Sequence, residues 1–180
     1  MTAKEKVRTG SGFSIPELWP ERAGAVLGVD PGTKHCGMAL LQRVLGDDWE
    51  LQDCFDLSPV DCVLHVQDWL RSTSSAWLVV EGYQLYPDKM QQQGMSRMGT
   101  PEVIGALKWV YLETCWFRTS GATTVAFAEQ GASIKAAGRR WMDLRGVVEE
   151  GSNQHKRDAE AHAWHRVRKI LEAESRAGKI

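Results

Sequence analysis

The sequence has no apolar run that approaches the roughly 18–20 residues of a membrane-spanning helix. Its first residues also lack the basic and then apolar pattern of a secretory signal, so we expect a cytoplasmic protein with no membrane partner. Cysteine is scarce, and its spacing is not that of a paired metal motif. We therefore expect free, buried thiols in a reducing compartment. The cysteines are Cys36, Cys54, Cys62 and Cys115.

Basic residues are missing from one part of the chain and concentrated in another. Lysine and arginine are absent from Val44 to Leu70, a stretch that holds seven acids. The stretch from Gly131 to Arg157 holds six bases against three acids. The net charge is only −1, yet a protein with one basic face can bind a polyanion without being basic overall.

One short stretch carries most of the information about the site. Residues 25–29 form an apolar, partly β-branched run, which is typical of a strand buried on both faces. The run ends on Asp30, and Pro31-Gly32 then predicts a turn. A second apolar run, 38–41, indicates a hairpin. We expect Asp30 at the tip of a central strand, although an acid before Pro-Gly is also an ordinary turn residue.

The rest of the chain alternates helix and strand patterns, which predicts an α/β fold with a mixed sheet. The alternation begins with a third strand at 49–55 and a helix that Ser58-Pro59 starts, as cap and first residue. The helix at 100–119 is apolar nearly all round, so it is either a core helix or a subunit interface. The other predicted segments are a flexible arm (1–22), one domain (23–178), a strand at 76–80 ending on Glu81, a loop at 83–99, a strand at 123–127, a short basic helix at 133–140 and a last helix at 154–177.

Three elements offer acids that could meet: Asp30 and Glu81 at strand ends, and Asp158 early in the last helix. Clustered carboxylates repel one another unless a cation holds them, and hard oxygen ligands favour Mg²⁺ or Mn²⁺. Two such ions can activate water and stabilise the leaving oxygen of a phosphodiester. Each acid also has a plainer explanation: Glu81 can be a surface acid, and Asp158 can complement the helix dipole.

These segments resemble the motifs of RuvC-type Holliday junction resolvases, which belong to the RNase H-like nuclease superfamily. Residues 28–33 with Gly37 are similar to the D-P-G-[ST]-x-x-x-G signature of that family. Residues 79–81 resemble its second acidic strand, and residues 155–159 match its final motif. The resemblance implies an RNase H-like fold with a mixed five-stranded sheet and helices on both faces.

The resemblance also implies a Mg²⁺-dependent endonuclease, with Mn²⁺ as a substitute and two ions per site, that nicks branched DNA such as four-way junctions. Asp30, Glu81, His155 and Asp158 would then be the catalytic metal ligands. His155 is also a candidate general acid or proton shuttle. His162, one turn after Asp158, is a candidate to support a ligand from behind. The family acts as a homodimer, for which the helix at 100–119 is our candidate interface.

Candidate DNA contacts follow from charge and position around this site. The family carries an aromatic residue shortly after the second acid, where this chain has Gln84 with Tyr83 and Tyr86 nearby. The residue that stacks at the junction is therefore open. The predicted phosphate contacts are Thr33, Lys34, His35, Lys89, Arg97, Lys135, Arg139 and Arg140.

Three other functions remain open. An actin-like or sugar-kinase-like ATPase shares the sheet topology, but it needs two such domains to clamp a nucleotide. A protein of nuclease-like fold that only binds branched DNA is a second alternative. The third is a nuclease for flaps, R-loops or RNA–DNA hybrids, since the motifs define the chemistry better than the substrate. A compact resolvase would suit a bacterial cell or a phage-infected host.

Overall fold

A computed structural model describes residues 23–44, 48–83, 99–117, 124–145 and 154–178. The predicted arm at 1–22 and most of the predicted loop at 83–99 lie outside the described residues. The elements are β1 (Ala25–Asp30), β2 (Cys36–Arg43), β3 (Trp49–Leu57), α1 (Pro59–Ser72), β4 (Ser75–Glu81), α2 (Gly99–Phe117), β5 (Thr124–Gln130), α3 (Ile134–Arg145) and α4 (Gln154–Arg176).

The described strands form one mixed sheet in the order β3-β2-β1-β4-β5. The first three are antiparallel neighbours, as the predicted hairpin required, and β1, β4 and β5 run parallel. β1 lies in the middle of the sheet, and all six of its residues are buried. The prediction of a central strand that ends on Asp30 is confirmed.

Two hydrophobic cores cover the two faces of the sheet. On one face, α1 and α2 pack with residues such as Val66 and Leu107 against alternate positions of β1 and β4. On the other face, α3 and α4 contribute Met142, Trp164 and Val167. Successive strand residues point to opposite faces, so both faces of a central strand must be apolar. Helices on both faces were predicted, and this arrangement is confirmed.

Local signals in the sequence account for several element ends. Ser58 caps α1: its Oγ accepts a hydrogen bond from the backbone N–H of Asp61 at 3.2 Å, and Pro59 follows at the first helical position. β5 runs to Gln130, three residues beyond the predicted end at Phe127, because pairing with β4 extends past the apolar run. α3 continues to Arg145 rather than ending at Arg140, and Met142 in the added turn is buried.

The central part of α2 is a core helix, since Ile104, Leu107 and Tyr111 are buried. Trp109 on the same helix is 68% exposed, so α2 also presents apolar surface to solvent. Cys36 and Cys62 are buried free thiols, as expected, whereas Cys54, which forms no disulfide among the described residues, is only half-buried; the Cys115 side chain lies outside the described part. No helix in the described residues is long and apolar enough to cross a membrane.

Candidate active site

Three parallel strands bring polar side chains to one edge of the sheet. β1 and β4 pair in register up to Val29 and Val80, so Asp30 and Glu81 come next on neighbouring strands. Glu81 pairs in turn with Gln130, the last residue of β5. The carboxyl ends of parallel strands meet at one edge, and in open α/β sheets this edge is where ligands bind.

Two glycines let α4 approach this edge closely. A Cβ atom on Gly28 would lie 2.2 Å from the carbonyl oxygen of Ala159, and one on Gly37 would lie 2.0 Å from that of His155. Any larger residue would therefore push the helix away from β1 and β2. The first two turns of α4 consequently lie beside Asp30, and they bring His155 and Asp158 to the site.

His155 is in direct contact with the acid at the end of β1. Its Nδ1 atom lies 2.6 Å from Oδ2 of Asp30. The Asp30 side chain is only 8% exposed, whereas that of His155 is 43% exposed. The pair therefore joins a buried carboxylate to an imidazole that solvent, or a bound substrate, can reach.

Lys135, near the start of α3, lies among the three acids. Its Nζ atom is 2.8 Å from Oε2 of Glu81, 2.8 Å from Oδ2 of Asp158 and 3.9 Å from Oδ1 of Asp30. Arg139, one turn later, donates to Oδ1 of Asp158. The acids thus meet as predicted, and the positive charge that lies between them belongs to the chain itself.

A fully buried histidine supports Glu81 from the side of α4. Nδ1 of His162 is 3.0 Å from Oε1 of Gln130, and Nε2 is 3.3 Å from Oε2 of Glu81. The structure therefore places His162 behind Glu81, where the sequence predicted a supporting role. Gln130 was missed, because the strand was predicted to end before it; its alignment with Glu81 across two parallel strands was the available signal.

Burial and mutual contact drive the pKa values of Asp30 and Glu81 apart. Burial, then the hydrogen bond with Glu81, raises the pKa of Asp30 to about 9. Burial alone would raise the pKa of Glu81 too, but contacts with His162, Asp30 and Lys135 outweigh it and lower that pKa to about 2. The two carboxyls therefore form a coupled pair, in which Asp30 is held nearer its neutral form and Glu81 nearer its ionised form.

The opposite charges around Asp158 fix the ionisation of both partners. Burial opposes ionisation of Asp158, but hydrogen bonds from Lys135, Gln154 and Arg139 lower its pKa. Burial likewise opposes a charged Lys135, and its hydrogen bonds to Asp158 and Glu81 raise the pKa of the ammonium. Lys135 is therefore a firmly protonated cation within the cluster.

The donor set suits a divalent cation, whereas its present arrangement holds an ammonium group. Three carboxylates are hard oxygen ligands of the kind that Mg²⁺ or Mn²⁺ takes, and the imidazole of His155 adds a softer nitrogen donor. Among the described residues, however, no group of three or more histidine, cysteine, aspartate or glutamate side chains is arranged to hold a metal ion. Metal binding by Asp30, Glu81, His155 and Asp158 stays a prediction.

The predicted DNA contacts divide into four groups. Thr33, Lys34 and His35 are exposed on the turn next to Asp30, and Arg140 is exposed on α3. Tyr83 is half-buried against the core beneath α1 and α2. Lys135 and Arg139 contact the acids instead of facing away from the site. The others, Tyr86, Lys89 and Arg97, lie outside the described residues.

No family model and no curated protein matches the sequence. Solved structures do match the fold. The structure of Thermus thermophilus RuvC in complex with a Holliday junction substrate superposes with a TM-score of 0.60 and 17% identity, over 84% of this chain and 96% of that one. The yeast mitochondrial Holliday junction resolvase Ydc2 gives a TM-score of 0.53 and 10% identity, over 90% of this chain and 85% of that one.

These similarities cover most of each chain, and at such low sequence identities they are evidence for the fold alone. The shared fold agrees with the resemblance found in the sequence. The chain has the RNase H-like fold of the RuvC-type Holliday junction resolvases.

Proposed function

We propose that this protein is a divalent-cation-dependent endonuclease that nicks branched DNA, with the four-way junction as its preferred substrate. The observation that supports this most is the convergence of Asp30, Glu81 and Asp158, with His155, at the carboxyl edge of the sheet. Two of the acids are largely buried, and burying a carboxylate is costly unless it pairs with or holds a cation. RuvC and Ydc2, which share the fold, are named as Holliday junction resolvases or bind such a junction.

In this proposal, Asp30, Glu81, His155 and Asp158 hold Mg²⁺ or Mn²⁺, with two ions per site. The ions would supply a water of lowered pKa and charge stabilisation of the leaving oxygen. His155, exposed on one side and held by Asp30 on the other, is placed to move a proton at its ring nitrogen. His162 and Gln130 keep Glu81 in position from behind.

The surroundings of the site suit a polyanionic substrate. Thr33, Lys34 and His35 project from the turn that follows Asp30, so a phosphate at the acids would lie within their reach. Gly99 at the start of α2 lies beside the same turn, since a Cβ on Gly99 would be 3.3 Å from Cγ2 of Thr33. Tyr83, two residues after Glu81, and Gly99 are the described residues on either side of positions 84–98, and Tyr86, Lys89 and Arg97 among those positions stay candidates for DNA contact.

A second copy of the chain is the proposed partner, because a junction offers two strands to cut. The large exposed apolar residues of the described part are Val60 and Leu64 on α1 and Trp109 on α2, and these two helices pack side by side. Such side chains would be covered in a homodimer built through α2. Trp109→Lys should lower the dimer fraction in light scattering; an unchanged mass would remove α2 from the interface.

The decisive test of substrate is a side-by-side digestion of a four-way junction, a flap, an RNA–DNA hybrid and a linear duplex with Mg²⁺. Paired symmetric nicks near the crossover would support the resolvase proposal. Preferential cutting of the flap or the hybrid would select the alternative within the same superfamily. If the protein binds the junction tightly but does not cut it in Mg²⁺ or Mn²⁺, the result would select the alternative of a protein that only binds branched DNA.

A further inference from the structure

Lys135 occupies the position in the acid cluster that a cation would need. Its Nζ atom is equidistant, at 2.8 Å, from one oxygen of Glu81 and one of Asp158. A divalent ion held by Glu81 and Asp158 would need these same carboxylate oxygens as ligands. The ammonium and the ion therefore compete for the same space as well as for the same charge.

The backbone that carries Lys135 is fixed, while its side chain can move. A Cβ atom on Gly138 would lie 2.0 Å from the carbonyl oxygen of Ala161, so α3 and α4 are in backbone contact one turn away. The lysine side chain has four rotatable bonds and is 21% exposed. Rotation of that side chain can vacate the cluster without moving the helix.

We propose that Lys135 is an internal cation that fills the acid cluster of the DNA-free protein and must leave it before a divalent ion can bind. The proposal rests on the proposed function, since it assumes that the acids are the cation site. While Lys135 can occupy the site, the apparent affinity for metal equals the intrinsic affinity multiplied by the fraction of molecules in which the site is vacant. A DNA phosphate at the site offers the ammonium another anion, so DNA raises metal affinity and metal raises DNA affinity by the same factor.

This arrangement would make metal loading depend on substrate. The free protein keeps its acids neutralised by its own lysine, and the complete site forms only where a phosphate draws Lys135 away. Among the described residues, Arg139 forms an ion pair with Asp158 but with neither Asp30 nor Glu81. Arg139 therefore neutralises one proposed ligand without occupying the centre of the cluster.

The test is a calorimetric titration of the DNA-free protein with Mn²⁺, using wild type and four variants: Lys135→Met, Lys135→Arg, Lys108→Met and Asp30→Asn. Lys135→Met should bind Mn²⁺ at least about tenfold more tightly than wild type, because the competitor is gone. Lys135→Arg, which keeps a cation there, should stay close to wild type. Lys108→Met is the matched control, because Lys108 has the same 21% exposure but pairs with Glu129 rather than with the three acids. The Mn²⁺ affinity of Lys108→Met should therefore match that of wild type.

The outcomes separate this proposal from the proposed function. Equal or weaker Mn²⁺ binding by Lys135→Met would overturn the role of Lys135, provided that Asp30→Asn still abolishes the binding seen in wild type. If Asp30→Asn binds Mn²⁺ as tightly as wild type does, the cation site itself would be overturned. If Lys135→Met does not fold, as judged by circular dichroism, Lys135→Gln replaces it with the same expected and contradicting results.

Discussion

The α carbon of Gly28 in β1 faces the carbonyl oxygen of Ala159 in α4 so closely that a Cβ atom there would lie 2.2 Å from it. Gly28 is two residues before Asp30, and Ala159 directly follows Asp158. This contact therefore sets the distance between two of the three acids. The helix that carries Asp158 can reach the strand that carries Asp30 because no side chain stands between them.

Gly28→Ala should destabilise the fold by about 1–3 kcal/mol, because the added methyl overpacks the contact between β1 and α4. Urea unfolding measures the change. Gly105→Ala is the matched control: Gly105 is exposed on α2 with nothing within 4 Å of its added Cβ, so alanine should stabilise that helix by about 0.5–1 kcal/mol. Equal midpoints for the two variants would show that the close contact at Gly28 is wrong.

Lys34→Ala should weaken junction binding and make its salt dependence shallower, with a slope lower by about one. The expected cause is the loss of one phosphate contact from the exposed turn after Asp30. Binding is measured by fluorescence anisotropy across a salt series. Lys169→Ala removes the same charge from the distal part of α4, where Lys169 pairs with Glu172, and should keep the wild-type slope. An unchanged slope for Lys34→Ala would place Lys34 outside the interface.

His165 makes the fold sensitive to mild acid. Burial, then the charges of Lys169, Arg166, Arg168 and His162, lowers the pKa of His165 from 6.5 to about 4. Between these values the unfolded chain binds the proton and the folded one does not. Stability is therefore lost as pH falls from about 6.5 to about 4, by about 2 kcal/mol from this residue once the shift is discounted for solvent screening of a half-exposed ring.

The variant His165→Gln should lose less stability than wild type over that pH range, as measured by urea unfolding at a series of pH values. His65→Gln on α1, at the opposite face of the sheet, controls for the loss of a histidine from a helix. If the acid-induced loss in His165→Gln equals that of wild type, the assignment to His165 is wrong.

Much of the fold follows from the sequence, because short apolar runs that end on an acid and a glycine mark buried strands with exposed tips. Asp30 and Glu81 were located in this way, and their motif order pointed to Asp158. The position of Lys135 could not be predicted: helical periodicity assigns a face to a residue, but it does not say that a long side chain folds back into a cluster. Lys135 was instead predicted to contact flanking phosphates. Gln130 was missed because strand pairing, rather than composition, carries β5 past Phe127.

The most direct test of the proposed chemistry compares Asp30→Asn with wild type on a four-way junction in Mg²⁺. Burial raises the pKa of Asp30 and so favours its neutral form, which asparagine resembles in size and charge, and the fold should persist. Asp68→Asn, at an acid of α1 that is 78% exposed, controls for the loss of a carboxylate. We expect Asp30→Asn to bind the junction and leave it uncut, while Asp68→Asn cuts like wild type. Cleavage by Asp30→Asn at the wild-type rate would contradict the assignment of the active site.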